Sequence, residues 1–210
     1  HVREHLIERG VPADHVATVY SPIVLPPPVE HSTLREELGL AADDVVVGWV
    51  AVMRATKGHK DLIDAIAPLM AARPKLHLVF VGGGSPVFDQ TQAYVAERGL
   101  ADRIHLMGMR RDVPNLLAGC DLFALATQQE ASGTVYVEAQ ASGLPVIGTD
   151  VGGVSEMFRD GETGILVPPK DPAALTAALE RLVDDAALRH RMGEAGRKMV
   201  WEEGVFSPAR

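Results

Sequence analysis

The sequence predicts an α/β domain, a doubly wound parallel sheet of about six strands with helices on both faces. Three observations lead there. From residue 45 onward, short apolar runs alternate with segments of helical period, the pattern of a parallel sheet covered on both sides. The runs of Val, Ile, Leu and Phe are nearly uninterrupted, as strands buried on both faces must be. Pro74, Gly99, Gly119 and Gly143 fall close to where the intervening helices should stop. A chain of 210 residues is long enough to bury one substantial core.

Taken in order, the first forty residues differ from the rest. A short helix over 2–9, a strand-like "VATVY" (16–20) and a rigid "SPIVLPPP" (21–28) lead to Thr33-Leu34-Arg35-Glu36, a capping-box start for another helix. Three consecutive prolines, Pro26 to Pro28, hold the chain extended and suit a connector. Residues 1–30 are therefore assigned to a connector from a preceding domain and 31–210 to one domain. An initial His1 in place of Met adds to the expectation that the chain is a piece of a longer protein.

The expected strands are "VVVGWVAV" (45–52), "LHLVFVG" (76–82), "RIHLMG" (103–108), "DLFALA" (121–126), "PVIGT" (145–149) and "GILVP" (164–168). Helices are expected at 60–72, 87–98, 113–118, 134–142 and 153–158. Two amphipathic helices close the chain, 172–183 and 185–201, the first with Asp171 as N-cap and Pro172 in its first turn.

Twenty Lys and Arg against twenty-eight Asp and Glu give a formal charge of −8, which argues against a broad nucleic-acid footprint. Any bound anion must be held locally. Cys120 is the only cysteine, so an internal disulfide and a cysteine-built metal site are excluded, and a reducing cytoplasm fits best. The apolar runs are too short to span a bilayer; peripheral contact at the inner face of a membrane is left open.

In such sheets ligands bind at the carboxyl ends of the strands. After the first strand, Arg54, Lys57 and Lys60 crowd a helix start; cations there oppose the helix dipole unless an anion lies between them. After the second, "VGGGSP" lets backbone approach closely, but Val87 stands where a dinucleotide fingerprint needs its third glycine, and a tight turn is the better reading. After the third, Arg110, Arg111 and Asp112 precede a short helix. After the fourth comes "EASGTVYVE" (130–138). Gly133 turns the chain into a helix whose Thr134 and Val135 amides can cradle a phosphate. Glu138, four residues after Thr134, lies one turn deeper on the same face and suits a vicinal diol such as ribose. Glu130 faces whatever lies beyond the distal phosphate.

Together, "RATKGHKDLIDA", "LVFVGGG", "RIHLMGMRRDVPNLLAGCDLFALA" and "EASGTVYVEAQASGLPVIGTDVGGVSEMF" resemble the group 1 (family 4) retaining glycosyltransferases of the GT-B fold, over nearly the whole chain and as their C-terminal half. The resemblance implies a Rossmann-like domain binding a nucleotide diphosphate-sugar, with a missing N-terminal domain building the acceptor site. It implies Lys57 on the leaving diphosphate, Glu130 beside the donor sugar, Glu138 on the ribose, the amides after Gly133 on phosphate, and the backbone of 110–113, with Arg110 and Val113, near the base. Arg54 is either the family's arginine after a two-residue shortening or a substitute for it. "ATQQE" replaces the usual Pro-Ser before the first glutamate, and Ser132 a bulkier residue. Neither a metal nor another cofactor is expected. Two other readings stay open: a GT-B-fold sugar-nucleotide epimerase and a non-catalytic nucleotide-sugar-binding subunit.

Overall fold

The computed structural model describes residues 2–17, 23–204 and 206. Six strands, β1 (Val45–Val50), β2 (Leu76–Val81), β3 (Ile104–Leu106), β4 (Leu122–Leu125), β5 (Val146–Thr149) and β6 (Gly164–Val167), form one sheet in the order β3-β2-β1-β4-β5-β6. Every neighbouring pair is parallel. Each strand lies within its expected run, and all but β5, which ends at Thr149 as expected, stop earlier at the carboxyl side. There the chain leaves the ladder for the loops: Ala51 N still donates to Val81 O (3.1 Å), whereas Val52 is 59% exposed.

The uninterrupted apolar runs are explained by burial on both faces. Val47, Trp49, Leu78 and Phe80 point into the larger core cluster, while the alternate residues Val46, Val79 and Val81 meet Leu34 and Leu116 on the opposite face. Leu34 belongs to α2 (Leu34–Leu38) and Leu116 to α5 (Val113–Ala118). On the larger side, α3 (His59–Ala72) buries Leu62, Ile63, Ile66, Leu69 and Met70, a stripe of helical spacing. Such side chains each stabilise the fold by about 1.5–3 kcal/mol when fully buried. Helix α4 (Val87–Glu97) follows β2, and α6 (Thr134–Ala141) follows β4. Two helices close the fold, α7 (Pro172–Asp184) and α8 (Ala186–Trp201). The Asp171 side chain accepts from Ala174 N, and Asp185 accepts from Leu188 N, so both caps are side-chain made. Among the described residues no helix is long and apolar enough to cross a membrane.

Several details differ from expectation, among them helix ends shifted by one residue in α3, α4, α6, α7 and α8. The first helix, α1 (Val2–Glu8), ends one residue early. Most of "VATVY" lies outside the described residues, and residues 16 and 17 form no strand. The segment 153–158 makes one tight turn, Val154–Glu156, because it must bury Val154, Met157 and Phe158 and then return into β6. The capping box is not formed. Thr33 has helical dihedrals and its hydroxyl donates to Glu37 Oε1 (2.9 Å), while Ser32 Oγ accepts from Leu34 N (3.1 Å) and Asn115 Oδ1 from Thr33 N (2.9 Å). The start of α2 is thus tied to α5 across the fold, not to Glu36.

On β2 and β3, His77 and His105 stack with ring centroids 5.5 Å apart, Nδ1 of one 3.2 Å from Nε2 of the other. One proton fits between those nitrogens; a second places like charges face to face. Burial lowers the pKa of both below the ordinary 6.5. Asp44 and Asp102 pull the other way, and Arg103 and Arg35 add to the depression at His77. The unfolded chain therefore binds more protons. Stability conferred by the neutral pair is complete above about pH 6.5 and is lost as pH falls through the lower folded values, with a slope of up to about 1.4 kcal/mol per pH unit for each proton. Urea midpoints measured from pH 7.5 to 5 are expected to fall, and His77→Phe is expected to flatten that dependence. An unchanged pH dependence in His77→Phe would exclude the pair as its source.

Candidate active site at the sheet's switch point

Strands β1 and β4 are neighbours, and the strand order runs away from them in both directions. Loops leaving their carboxyl ends must diverge, which opens a crevice between them. A cavity of about 340 Å³ occupies that crevice. It is walled by Val50, Ala51, Val52 and Leu125, and its polar lining comes from Arg54, Lys57, Glu130 and Ser132 together with Gly133, Thr134 and Val135.

The β1 loop is shaped to present Lys57. One tight turn, Ala55–Lys57, ends at Gly58 in the left-handed region (φ +64°), where a β-carbon would stand 1.7 Å from Ala126 O. The indole nitrogen of the fully buried Trp49 donates to Lys57 O (3.4 Å). Lys57 Nζ then reaches Glu130 Oε2 at 2.6 Å, with side chains only 20% and 14% exposed. Glu130 Oε1 accepts from Ala131 N (3.1 Å). A pair this well shielded is screened less by salt than a surface ion pair, and it holds both groups at the cavity wall.

The Glu130 loop is backed by the Gly-Gly turn after β5. Gly152 has φ +56°, and a β-carbon there would lie 1.6 Å from Glu130 O, so only glycine allows the two loops to meet. Beyond Glu130, Gly133 is the left-handed N-cap of α6, and no side chain caps that terminus. The first amides of α6, Thr134 and Val135, therefore border the cavity with the positive end of the helix dipole behind them. Helix α6 is anchored from below by Tyr136, fully buried, whose hydroxyl donates to Leu125 O (2.8 Å).

The structure thus brings Arg54, Lys57, Glu130, Gly133, Thr134 and Val135 together. It does not bring Glu138, Arg110 or Val113 into the same cavity. Glu138 lines a separate void of about 30 Å³ beside Pro114, Leu117 and the Pro26–Pro28 segment. Four residues after Thr134 set it a full turn deeper, on the flank facing α5. Burial raises its carboxyl pKa. The Arg110 guanidinium is held by Asp112 (2.8 and 2.7 Å) and by Glu37 (2.8 and 3.1 Å), which binds α2 to the loop before α5. The run Gly82 to Gly84 packs on the β1 exit, Met53 N donating to Gly83 O (3.0 Å), and lines no part of the cavity. Burial pushes the Cys120 thiol up to about 12, which leaves it without a nucleophilic role. Trp49, which supports the Lys57 loop, was not among the expected site residues, and no local motif marks it.

The model of the family "Glycosyl transferases group 1" matches residues 30–199. The N-acetyl-alpha-D-glucosaminyl L-malate synthase of Bacillus anthracis is 32% identical over 170 residues, 81% of this chain and 44% of that protein. A D-inositol 3-phosphate glycosyltransferase of Corynebacterium efficiens is 34% identical over 178 residues, 80% of this chain and 42% of that one. Among solved structures, Anabaena Alr3699/HepE in complex with UDP and glucose superposes with a TM-score of 0.85 at 26% identity, covering 98% of this chain and 57% of that one. The chain spans less than half the length of these two curated relatives. The matched family model and the Rossmann-like sheet agree, and the chain belongs to the group 1 glycosyl transferases.

Proposed function

We propose that this chain is the C-terminal, donor-binding half of a retaining glycosyltransferase that moves a sugar from a nucleotide diphosphate-sugar to an acceptor. The observation that carries this reading is the convergence of Lys57 and the uncapped start of α6 on one cavity at the switch point. A fixed cation opposite a helix N-terminus suits an anionic group such as a diphosphate. The UDP and glucose held by the similar Anabaena structure support the same class of ligand.

In this reading the bond between the anomeric carbon and the diphosphate oxygen breaks with its electron pair leaving on the diphosphate. Lys57, Arg54 and the α6 dipole stabilise that growing charge, in place of a metal. Glu130 stands where its carboxylate can face the positive charge on the sugar ring. Glu138 serves the ribose from the α5 flank, where burial raises its carboxyl pKa. The backbone near Arg110 and Val113 borders the base, while the Arg110 side chain stays structural. Residues 1–30 lead from an N-terminal domain that supplies the acceptor site, and the assembled enzyme works in the cytoplasm, with contact at the inner membrane face dependent on that other half.

Calorimetric titration of the chain with UDP, GDP, ADP and TDP tests the reading. One diphosphate is expected to bind, and Glu138→Ala is expected to weaken it and its nucleoside alike, by about 1–3 kcal/mol. Failure of all four to bind would overturn the donor-site assignment.

A further inference from the structure

The loops that present Lys57 and Glu130 are joined at one backbone carbonyl, that of Thr56. It accepts from Gln128 N at 2.7 Å and from Thr127 Oγ1 at 3.1 Å. The Thr127 hydroxyl also stands 2.9 Å from Gln129 O, and the residue is wholly buried. A hydroxyl carries one proton, so these two carbonyls share it. One belongs to the residue before Lys57 and the other to the residue before Glu130. The carbonyl of Thr127 itself accepts from the Thr149 hydroxyl at the end of β5, which ties in the strand that leads to the Gly-Gly turn. Three loop bases therefore meet at one buried residue, two at its hydroxyl and the third at its carbonyl, and that residue does not line the cavity.

We propose that Thr127 is a positioning residue: its hydroxyl locks the register of the β1 and β4 loops and so sets the Lys57–Glu130 pair at the cavity wall. Threonine suits this place because its hydroxyl donates while its methyl fills the core beside it; valine keeps the shape and removes the donor. Without that proton the Thr56 carbonyl keeps only the Gln128 amide, and the Gln129 carbonyl loses the donor that holds it inward. What the aligned pair acts on rests on the donor-site reading above. That the hydroxyl aligns it does not.

The test uses the whole chain, ¹⁵N-labelled, as Thr127→Val and Thr127→Ser. In the unliganded protein, Thr127→Val is expected to lower hydrogen-exchange protection of the Gln128 amide by about tenfold while amides of central strand β2 keep theirs, and Thr127→Ser is expected to restore it. Protection lost equally everywhere, or nowhere, overturns the proposal. Titration with UDP and with uridine forms the second arm. Thr127→Val is expected to weaken UDP by about tenfold with uridine little changed, and serine to rescue it. Equal losses for both ligands would mean a merely structural residue. Should wild type bind neither, the donor-site reading falls and the exchange arm still decides the clamp. If Thr127→Val does not fold, Thr127→Cys, a weaker donor of similar size, takes its place in both arms.

Discussion

Lys57→Ala is expected to weaken a nucleoside diphosphate by about 10- to 100-fold, the loss of one charge-assisted hydrogen bond, with the nucleoside changed far less. Two effects add. The ammonium that meets the phosphates is gone, and Glu130, now unpaired at the cavity wall, turns a negative charge toward an anionic ligand. The second effect is separable. Glu130→Gln removes the repulsion, so the double variant Lys57→Ala/Glu130→Gln is expected to recover part of the loss, and a double-mutant cycle measures how much. Glu130→Gln alone is expected to bind the diphosphate at least as well as wild type, because it frees the cation. Calorimetry with UDP and uridine reads all three. Equal loss of both ligands in Lys57→Ala would take Lys57 off the diphosphate.

The largest effect on folding is expected from Gly152→Ala. Its β-carbon would lie 1.6 Å from Glu130 O, a backbone atom with no rotamer to yield, and at φ +56° an L side chain is strained whatever the space. The Gly-Gly turn must then withdraw from the β4 loop. A loss of about 2–4 kcal/mol is expected, seen as a lower urea midpoint with an unchanged slope. Gly161→Ala supplies the contrast: its φ is +75°, but a β-carbon there meets nothing within 4 Å, so only the backbone strain of about 1 kcal/mol remains. Equal midpoints for the two variants would show that the Gly152 contact does not hold the loops together.

The sheet was legible because its strands are buried on both faces, so runs such as 45–52 and 76–82 carry no polar residue to blur them except His77. Helix ends set by local chemistry were legible too: Asp171 caps α7 with its own side chain. What failed depended on distant partners. Thr33 fits a local capping pattern, yet Asn115 takes its amide from 82 residues away. In the site, helical period placed Thr134 and Glu138 on one face of α6, but period cannot say that Glu138 faces the flank beside Pro114 while Thr134 borders the crevice. The Lys57–Glu130 contact spans 73 residues, and no spacing within either loop announces it. Thr127 looked like a substitution in a familiar motif. Its role comes from Thr56 and Thr149, both remote in the chain.

In the proposed donor site a diphosphate lies between Lys57 and the first turn of α6. Titration of the ¹⁵N-labelled chain with UDP, followed by amide chemical shifts, tests it most directly. The largest shifts are expected at Gly133, Thr134 and Val135, with Lys57 and Gly58 next, and little change at His77 on β2 or His105 on β3. Saturable binding that leaves the Gly133, Thr134 and Val135 amides unmoved would contradict it.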